Sequence, residues 1–251
     1  MTIACVLIII VKLISLNIWR GKMRQPLLDF LEKYKDEVDV FCFQEIPGAE
    51  TEDGKALLTY SQIKDLLGNF TNYSKDYFAT KHGFRDDLGI FVRKDIEVDI
   101  SGEIQLHDPS IGSDNIEQNW RDLGYVFINV NGKKYLIANF HGLWDGPGKS
   151  DDPRRLEQSR KVKNFLDQHD ITKILAGDFN LWPGTESLKI LEKDMVNLID
   201  KYNFHSTRPP FFDFPNKYSD YVFVSPDIKI NDFKVLSDVV SDHLALYLDY
   251  E

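Results

Sequence analysis

An α+β fold of two mixed, mainly antiparallel sheets packed face to face, with helices outside, is what this chain of 251 residues predicts. Short apolar runs of strand length recur along the whole sequence. Two of them, Tyr125 to Val130 and Lys134 to Phe140, are joined by Asn131-Gly132, a strong signal for a two-residue hairpin. Helical patterns are scattered between the strands, with neither a regular βα alternation nor an internal repeat, so layered sheets are the expected arrangement.

Composition sets the outer bounds. The chain is 43% hydrophobic and 28% charged, with no low-complexity tract and no linker rich in Pro, Gly or Ser, so one domain over residues 12–251 is expected. Thirty Lys and Arg stand against 40 Asp and Glu, a formal charge of -10. That balance argues against a protein that holds nucleic acid chiefly by neutralising phosphates. An enzyme that visits nucleic acid remains compatible with it, since a bound divalent cation inverts the sign locally. The two cysteines make no disulfide framework, and Cys42, inside Val40-Phe41-Cys42-Phe43, is expected to be buried and inert.

Residues 1–11 form an apolar extension in which Ile3 to Val11 is too short to span a bilayer and lacks a basic n-region. A cytoplasmic protein with an overlong first strand is expected, with membrane association of this segment the alternative.

Taken in order, Lys12 to Asn17 reads as a strand ending on Asn17. Pro26 suits the first position of a helix whose apolar face is Leu27, Leu28, Leu31 and Tyr34. A strand at Val38 to Phe43 ends in Gln44 and Glu45, and a helix is expected over Gln62 to Leu67. Phe78 to Thr80 and Leu88 to Arg93 read as strands, Ile96 to Leu106 alternates loosely, and residues 107–120 read as a loop. After the hairpin, whose second strand ends on His141, a Gly-rich loop runs from Gly142 to Pro153. Asp152 and Pro153 then supply the N-cap and first position of a helix through Gln168. Lys173 to Asn180 is a strand running into Gly177-Asp178-Phe179-Asn180. A helix over Thr185 to Leu191 follows, then a Pro- and Phe-rich loop at Pro209 to Pro215. Strands at Tyr218 to Ser225, carrying Asp220, at Phe233 to Leu236 and at Leu244 to Leu248, just after Asp242-His243, close the chain.

Six strand ends thus carry polar groups: Asn17, Glu45, His141, Asp178 with Asn180, Asp220, and Asp242 with His243. Rigid strands that end in carboxylates, amides and imidazoles make a sheet edge into a reaction site. Read in order, Ser15-Leu16-Asn17, Phe43-Gln44-Glu45, Asn139-Phe140-His141-Gly142, Gly177-Asp178-Phe179-Asn180, Ser219-Asp220-Tyr221 and Ser241-Asp242-His243 resemble the endonuclease/exonuclease/phosphatase superfamily. The likeness runs from Lys12 onward. His141 makes it closer to the deoxyribonuclease I-like and sphingomyelinase-like branches than to the abasic-site endonuclease-like one. Trp19 likewise stands where that last branch tends to carry an acid.

The resemblance implies a four-layer αββα sandwich and a monomeric phosphoesterase that uses Mg²⁺ or Mn²⁺, more readily on a diester than on a monoester. A phosphodiester is anionic, so a hard cation on carboxylate oxygen admits it and polarises its oxygens. Glu45 is the expected metal ligand, with Asn17 assisting and Asp242 bracing the site or holding a second cation. Asp178 is expected to orient or deprotonate the attacking water, and Asn180 to bind a phosphoryl oxygen or a second metal. His243 is expected to act as base or as a cation on the phosphate, with Asp220 fixing its tautomer, and His141 to face the developing charge. The substrate class stays open among nucleic acid, a phospholipid headgroup and a small phosphate, and no stable protein partner is implied. A noncatalytic binding module of the same fold is the alternative from another class. Trp144, in the Gly-rich loop near Lys149, Arg154 and Arg155, is the expected substrate contact, and Trp19 and Trp182 are expected to pack under loops.

Overall fold

Strand β1 (Val11–Asn17) shows the rule that builds the molecule. Side chains alternate between faces, so Val11, Leu13, Ser15 and Asn17 share one face and Ile14 and Leu16 the other. Val11 and Leu13 belong to the core between the two sheets, while Ile14 and Leu16 belong to a second core beneath a helix. A computed structural model describes residues 10–47, 58–74, 86–107, 121–144, 146, 148–215 and 217–251. The expected strand at Phe78 to Thr80, most of the expected loop at 107–120 and nearly all of the apolar extension lie outside them.

The strands form two six-stranded sheets. The first holds β1, β2 (Val40–Pro47), β3 (Phe70–Asn72), β4 (Asp86–Arg93), β11 (Ile230–Val235) and β12 (Leu246–Tyr250), in the order β11-β12-β1-β2-β4-β3. The second holds β5 (Glu97–His107), β6 (Arg121–Val130), β7 (Lys133–His141), β8 (Thr172–Asp178), β9 (Val196–Asn197) and β10 (Asp220–Val224), in the order β5-β6-β7-β8-β10-β9. Each sheet carries a parallel pair, β1 with β2 and β7 with β8, and the strand connection in each case passes through a helix. Helix α1 (Arg24–Tyr34) makes the first crossover and buries Leu27, Phe30, Leu31 and Tyr34. Helix α3 (Pro153–Asp167) makes the second, with Asp152 accepting from the backbone N–H groups of Arg154 and Arg155. Helices α2 (Tyr60–Leu66), α4 (Glu186–Glu192) and α5 (Leu198–Lys201) complete the outer cover. The expected face-to-face mixed sheets with outer helices are therefore present.

The hairpin turn takes positive φ at both Asn131 (54°) and Gly132 (81°), as a two-residue turn of the primed type requires. Two expectations need correction. Pro26 is the third helical residue rather than the first, a position whose missing N–H is equally without an intrahelical partner. Glu45 lies inside β2 rather than beyond its end, in a bulge where the register with β4 shifts between Phe43 and Ile46. Strands β3 and β9 and helix α5 are additional, being too short for a periodic pattern. Among the described residues no helix is long and apolar enough to cross a membrane. Cys42 is fully buried, and burial pushes its thiol far above the ordinary range.

Candidate active site

Along the strands facing the interior, polarity rises toward one edge. On β1 the inward series is Val11, Leu13, Ser15, Asn17, and on β2 it is Val40, Cys42, Gln44. On β7 it is Tyr135, Ile137, Asn139, His141, and on β8 it is Ile174, Ala176, Asp178. Register then lines up the last members. His141 is the partner of Asp178 across β7 and β8, and Asp220 is the partner of Asp178 across β10 and β8. Asn17, His141, Asp178, Asn180, Asp220 and His243 are all buried, and Glu45 is half-buried.

Close backbone approach sets this edge. A Cβ on Gly177 (φ 148°) would stand 1.9 Å from the carbonyl oxygen of Phe140, and one on Gly142 would stand 2.1 Å from that of Phe179. Only glycine lets the ends of β7 and β8 meet so closely.

Asn17 joins the two sheets at the edge. Its Nδ2 donates to Glu45 Oε1 and to Asp178 Oδ2, both at 3.0 Å, while its Oδ1 accepts from Trp19 N at 2.9 Å. One amide group therefore spends its two protons on two carboxylates from opposite sheets. Glu45 reaches this point because the bulge gives it φ 58°, an uncommon conformation for a residue other than glycine.

Asp178 is the most heavily served group. Oδ1 accepts from Asn180 N at 3.0 Å and from Ser219 Oγ. Oδ2, besides Asn17, faces His243 Nε2 at 3.6 Å and His141 Nε2 at 3.9 Å. Burial opposes the charged carboxylate, but His243 and Lys149 outweigh it and hold the carboxyl below the usual range. Burial, with Arg121 adding to it, lowers His141 to about 3, so this imidazole is neutral near pH 7 and its 3.9 Å approaches to Asp178 and Glu45 are not ion pairs. His243 Nδ1 lies 2.8 and 3.0 Å from the two oxygens of Asp220. An ionised carboxylate only accepts, so Nδ1 carries the proton and Nε2 is turned to Asp178. Thr207 Oγ1 donates to Asp220 Oδ2 at 2.8 Å and steadies the pair.

Glu45, His141 and Asp178 each offer a ligand atom within 4.8 Å of the others, as do Asp178, Asp220 and His243. Carboxylate oxygens beside a neutral imidazole suit a divalent cation, and the first group is the better fit because Asp220 and His243 already bind each other. Asp242 stands apart from both. Its Oδ2 and its backbone oxygen each accept from Arg208 Nη1 at 2.9 Å, and its Oδ1 lies 3.8 Å from His243 Nε2. Asp242, expected to brace the site or hold a second cation, thus forms an ion pair with Arg208 beside His243. Asn180 Nδ2 donates to Gly142 O at 3.3 Å, so its amide also ties the strand end to the adjoining loop.

Four contributors were given no role by sequence reasoning. Arg208, 6% exposed, and Thr207 lie on an aperiodic segment. Lys149 reads as a solvated helix approach, yet its Nζ donates to buried Ser219 at 2.7 Å. Arg121 Nε donates to Gly142 O at 2.8 Å. Three large aromatic side chains are exposed on loops: Trp144 is 50% exposed, Phe211 52% and Phe214 59%. Trp182 is half-buried, and Trp19 lies under Lys22, whose Nζ is 4.2 Å from the ring centroid.

A model of the Endonuclease/Exonuclease/phosphatase family matches residues 14–243. No curated protein sequence matches the chain. Among solved structures, a mannosyl-6-phosphatase of Bacteroides thetaiotaomicron is 20% identical with a TM-score of 0.72, covering 96% of this chain and 99% of that one. TDP2 of D. rerio, complexed with a single-strand DNA product, is 18% identical with a TM-score of 0.70 over 96% and 99%. The human Nocturnin catalytic domain, with a bound sulfate anion, is 16% identical with a TM-score of 0.70 over 96% and 94%. At these identities the likeness is one of fold.

Proposed function

Because the chain belongs to the Endonuclease/Exonuclease/phosphatase family, we propose that it is a divalent-cation-dependent phosphoesterase that hydrolyses a phosphodiester with an attacking water. One observation carries this reading: Asn17 Nδ2 clamps Glu45 and Asp178 together beside neutral His141, while Asp220 turns His243 toward the same carboxylate. A noncatalytic module has no use for four carboxylates gathered at one polar edge, where Glu45, Asp178, Asp220 and Asp242 outnumber Lys149, Arg208 and Arg121.

By itself this balance repels a phosphate. A bound Mg²⁺ or Mn²⁺, held by Glu45 and Asp178 with His141 or Asn17 beside them, would reverse the sign and polarise a phosphoryl oxygen. The chain's own groups do the rest. Asp178 Oδ2 and His243 Nε2, 3.6 Å apart, are placed to orient the water and take its proton. His141 faces the charge that develops on the phosphate or the leaving oxygen. With so small a margin of positive charge, a monoanionic diester suits the site better than a dianionic monoester.

Exposed Trp144, shortly after His141 in the chain, and exposed Phe211 and Phe214, shortly after Arg208, offer aromatic surface for substrates with a flat or apolar group beside the phosphate, a nucleobase or a lipid headgroup region. The D. rerio and Bacteroides thetaiotaomicron structures, one complexed with single-strand DNA and the other a sugar phosphatase, bracket the range. Purified protein tested with Mn²⁺ on single-strand DNA, RNA, sphingomyelin and mannose 6-phosphate should cleave a diester fastest and stop in chelator. Activity that persists in chelator, or a preference for the monoester, would overturn the corresponding part of this reading.

A further inference from the structure

Three basic residues crowd the start of α3, and they do different things. Arg155 turns back on its own loop, donating to Gly148 O at 2.9 Å, Ser150 O at 3.2 Å and Asp152 Oδ2 at 2.8 Å. Arg154 pairs with Asp152. Lys149 runs inward: its Nζ donates to Ser219 Oγ at 2.7 Å, and Ser219 Oγ in turn contacts Asp178 Oδ1.

Chemistry sets the direction of this chain. An ammonium has only donors and an ionised carboxylate only acceptors, so the single hydroxyl proton of Ser219 must point at Asp178. Oδ1 of Asp178 then receives two donors, Asn180 N–H and Ser219 O–H, which leaves Oδ2 turned toward Asn17, His141 and His243. Each partner is anchored. Ser219 is fully buried and its carbonyl accepts from Phe179 N at 2.8 Å, while the carbonyl of Lys149 accepts from Trp182 N at 2.9 Å. The loop segment 148–153 is thereby latched to the catalytic carboxylate.

We propose that Lys149 is a positioning residue, which through Ser219 fixes the orientation of Asp178 and so couples the loop segment 148–153 to the reaction centre. The proposal rests on the phosphoesterase reading for the reaction it serves, and on the hydrogen-bond chain alone for the coupling. Burial lowers the pKa of Lys149, with Arg208 adding to it, and the carboxylates of Asp178, Asp220 and Asp242 offset part of that shift. A Lys149 that instead bound substrate directly would act independently of Ser219.

A double-mutant cycle separates the two. With bis-p-nitrophenyl phosphate and Mn²⁺, Lys149→Met and Ser219→Ala should each lower kcat about 10- to 100-fold, with KM changed less than about twofold. The double variant should be no worse than the more damaged single, and Lys149→Arg should recover most of kcat. A raised KM in Lys149→Met with near-normal Ser219→Ala would overturn the proposal, as would multiplicative losses in the double variant. The same cycle read as melting-temperature shifts of the metal-free protein in chelator needs no turnover: non-additive shifts are expected, and additive ones contradict the chain. If the wild-type protein hydrolyses no phosphate ester, the functional reading fails, while the melting cycle still decides whether Lys149 positions Asp178.

Discussion

At the scale of single residues the site is a set of assignments about protons. Asn17 spends both amide protons on carboxylates, and Asp220 fixes which nitrogen of His243 carries its proton. His141 is kept neutral by burial, and that has a measurable consequence. Its pKa is about 3 in the folded protein against the ordinary 6.5, so as pH falls below about 6.5 the unfolded chain takes up a proton that the folded one refuses. The contribution is intact above pH 6.5 and is lost as pH falls toward 3, at up to about 1.4 kcal/mol per pH unit. Asp178 behaves differently: its carboxyl is depressed, so its contribution is lost only below the ordinary carboxylate range near pH 4. Denaturant titrations in chelator should therefore show wild-type stability falling between pH 6.5 and 4, with a clearly shallower slope in His141→Asn. Equal slopes over that window would contradict a buried neutral imidazole.

At the scale of elements, the strands explain why so much of the site could be read from sequence. Each inward series ends polar, and a period of two makes that visible: Val11, Leu13, Ser15, Asn17 on β1, and Ile174, Ala176, Asp178 on β8. The Asn-Gly hairpin and the Asp152-Pro153 helix start were legible because each carries its own local chemistry. Glu45 was legible as a candidate-site residue but not as a bulge, since nothing local announces a shift of register against β4. Lys149, Thr207 and Arg208 sit on aperiodic segments, where side-chain direction depends on contacts far away in sequence. The ion pair between Asp242 and Arg208 was hidden for the same reason.

The glycines test how tightly the strand ends must meet. Gly177→Ala would drive a Cβ to 1.9 Å from Phe140 O in a backbone conformation that alanine resists. It should cost about 3 kcal/mol or more, a melting-temperature drop of roughly 6–12 °C for a chain of this size. Gly132→Ala, at φ 81° but with nothing within 4 Å, should cost only about 1 kcal/mol. Equal effects at the two positions would mean that close approach of β7 and β8 is not what Gly177 provides.

At the scale of the whole molecule, the two sheets are joined just below the site by a buried polar clasp. Gln44 Nε2 donates to Asn139 Oδ1 at 2.7 Å, and Asn139 Nδ2 donates across to Phe43 O at 2.9 Å and Gly89 O at 3.1 Å. Purely apolar packing would let the sheets slide; directional bonds set their relative position, and Asn17 repeats the device at the edge itself. Asn139→Leu should cost about 2–3 kcal/mol by stranding these buried partners. Combined with Gln44→Leu, the total should fall short of the sum by about 0.5–3 kcal/mol. Strict additivity in chemical denaturation would argue that the sheets are held by packing alone.

The functional reading stands or falls on Asp178, where both sheets, both histidines and the Lys149 chain converge. Steady-state hydrolysis of bis-p-nitrophenyl phosphate with Mn²⁺, measured for wild type and for Asp178→Asn with its fold confirmed by circular dichroism, tests it most directly. Chelator-sensitive turnover by the wild type and a loss of at least about 10²-fold in kcat for Asp178→Asn are predicted. Wild-type turnover that survives the substitution unchanged would contradict the account.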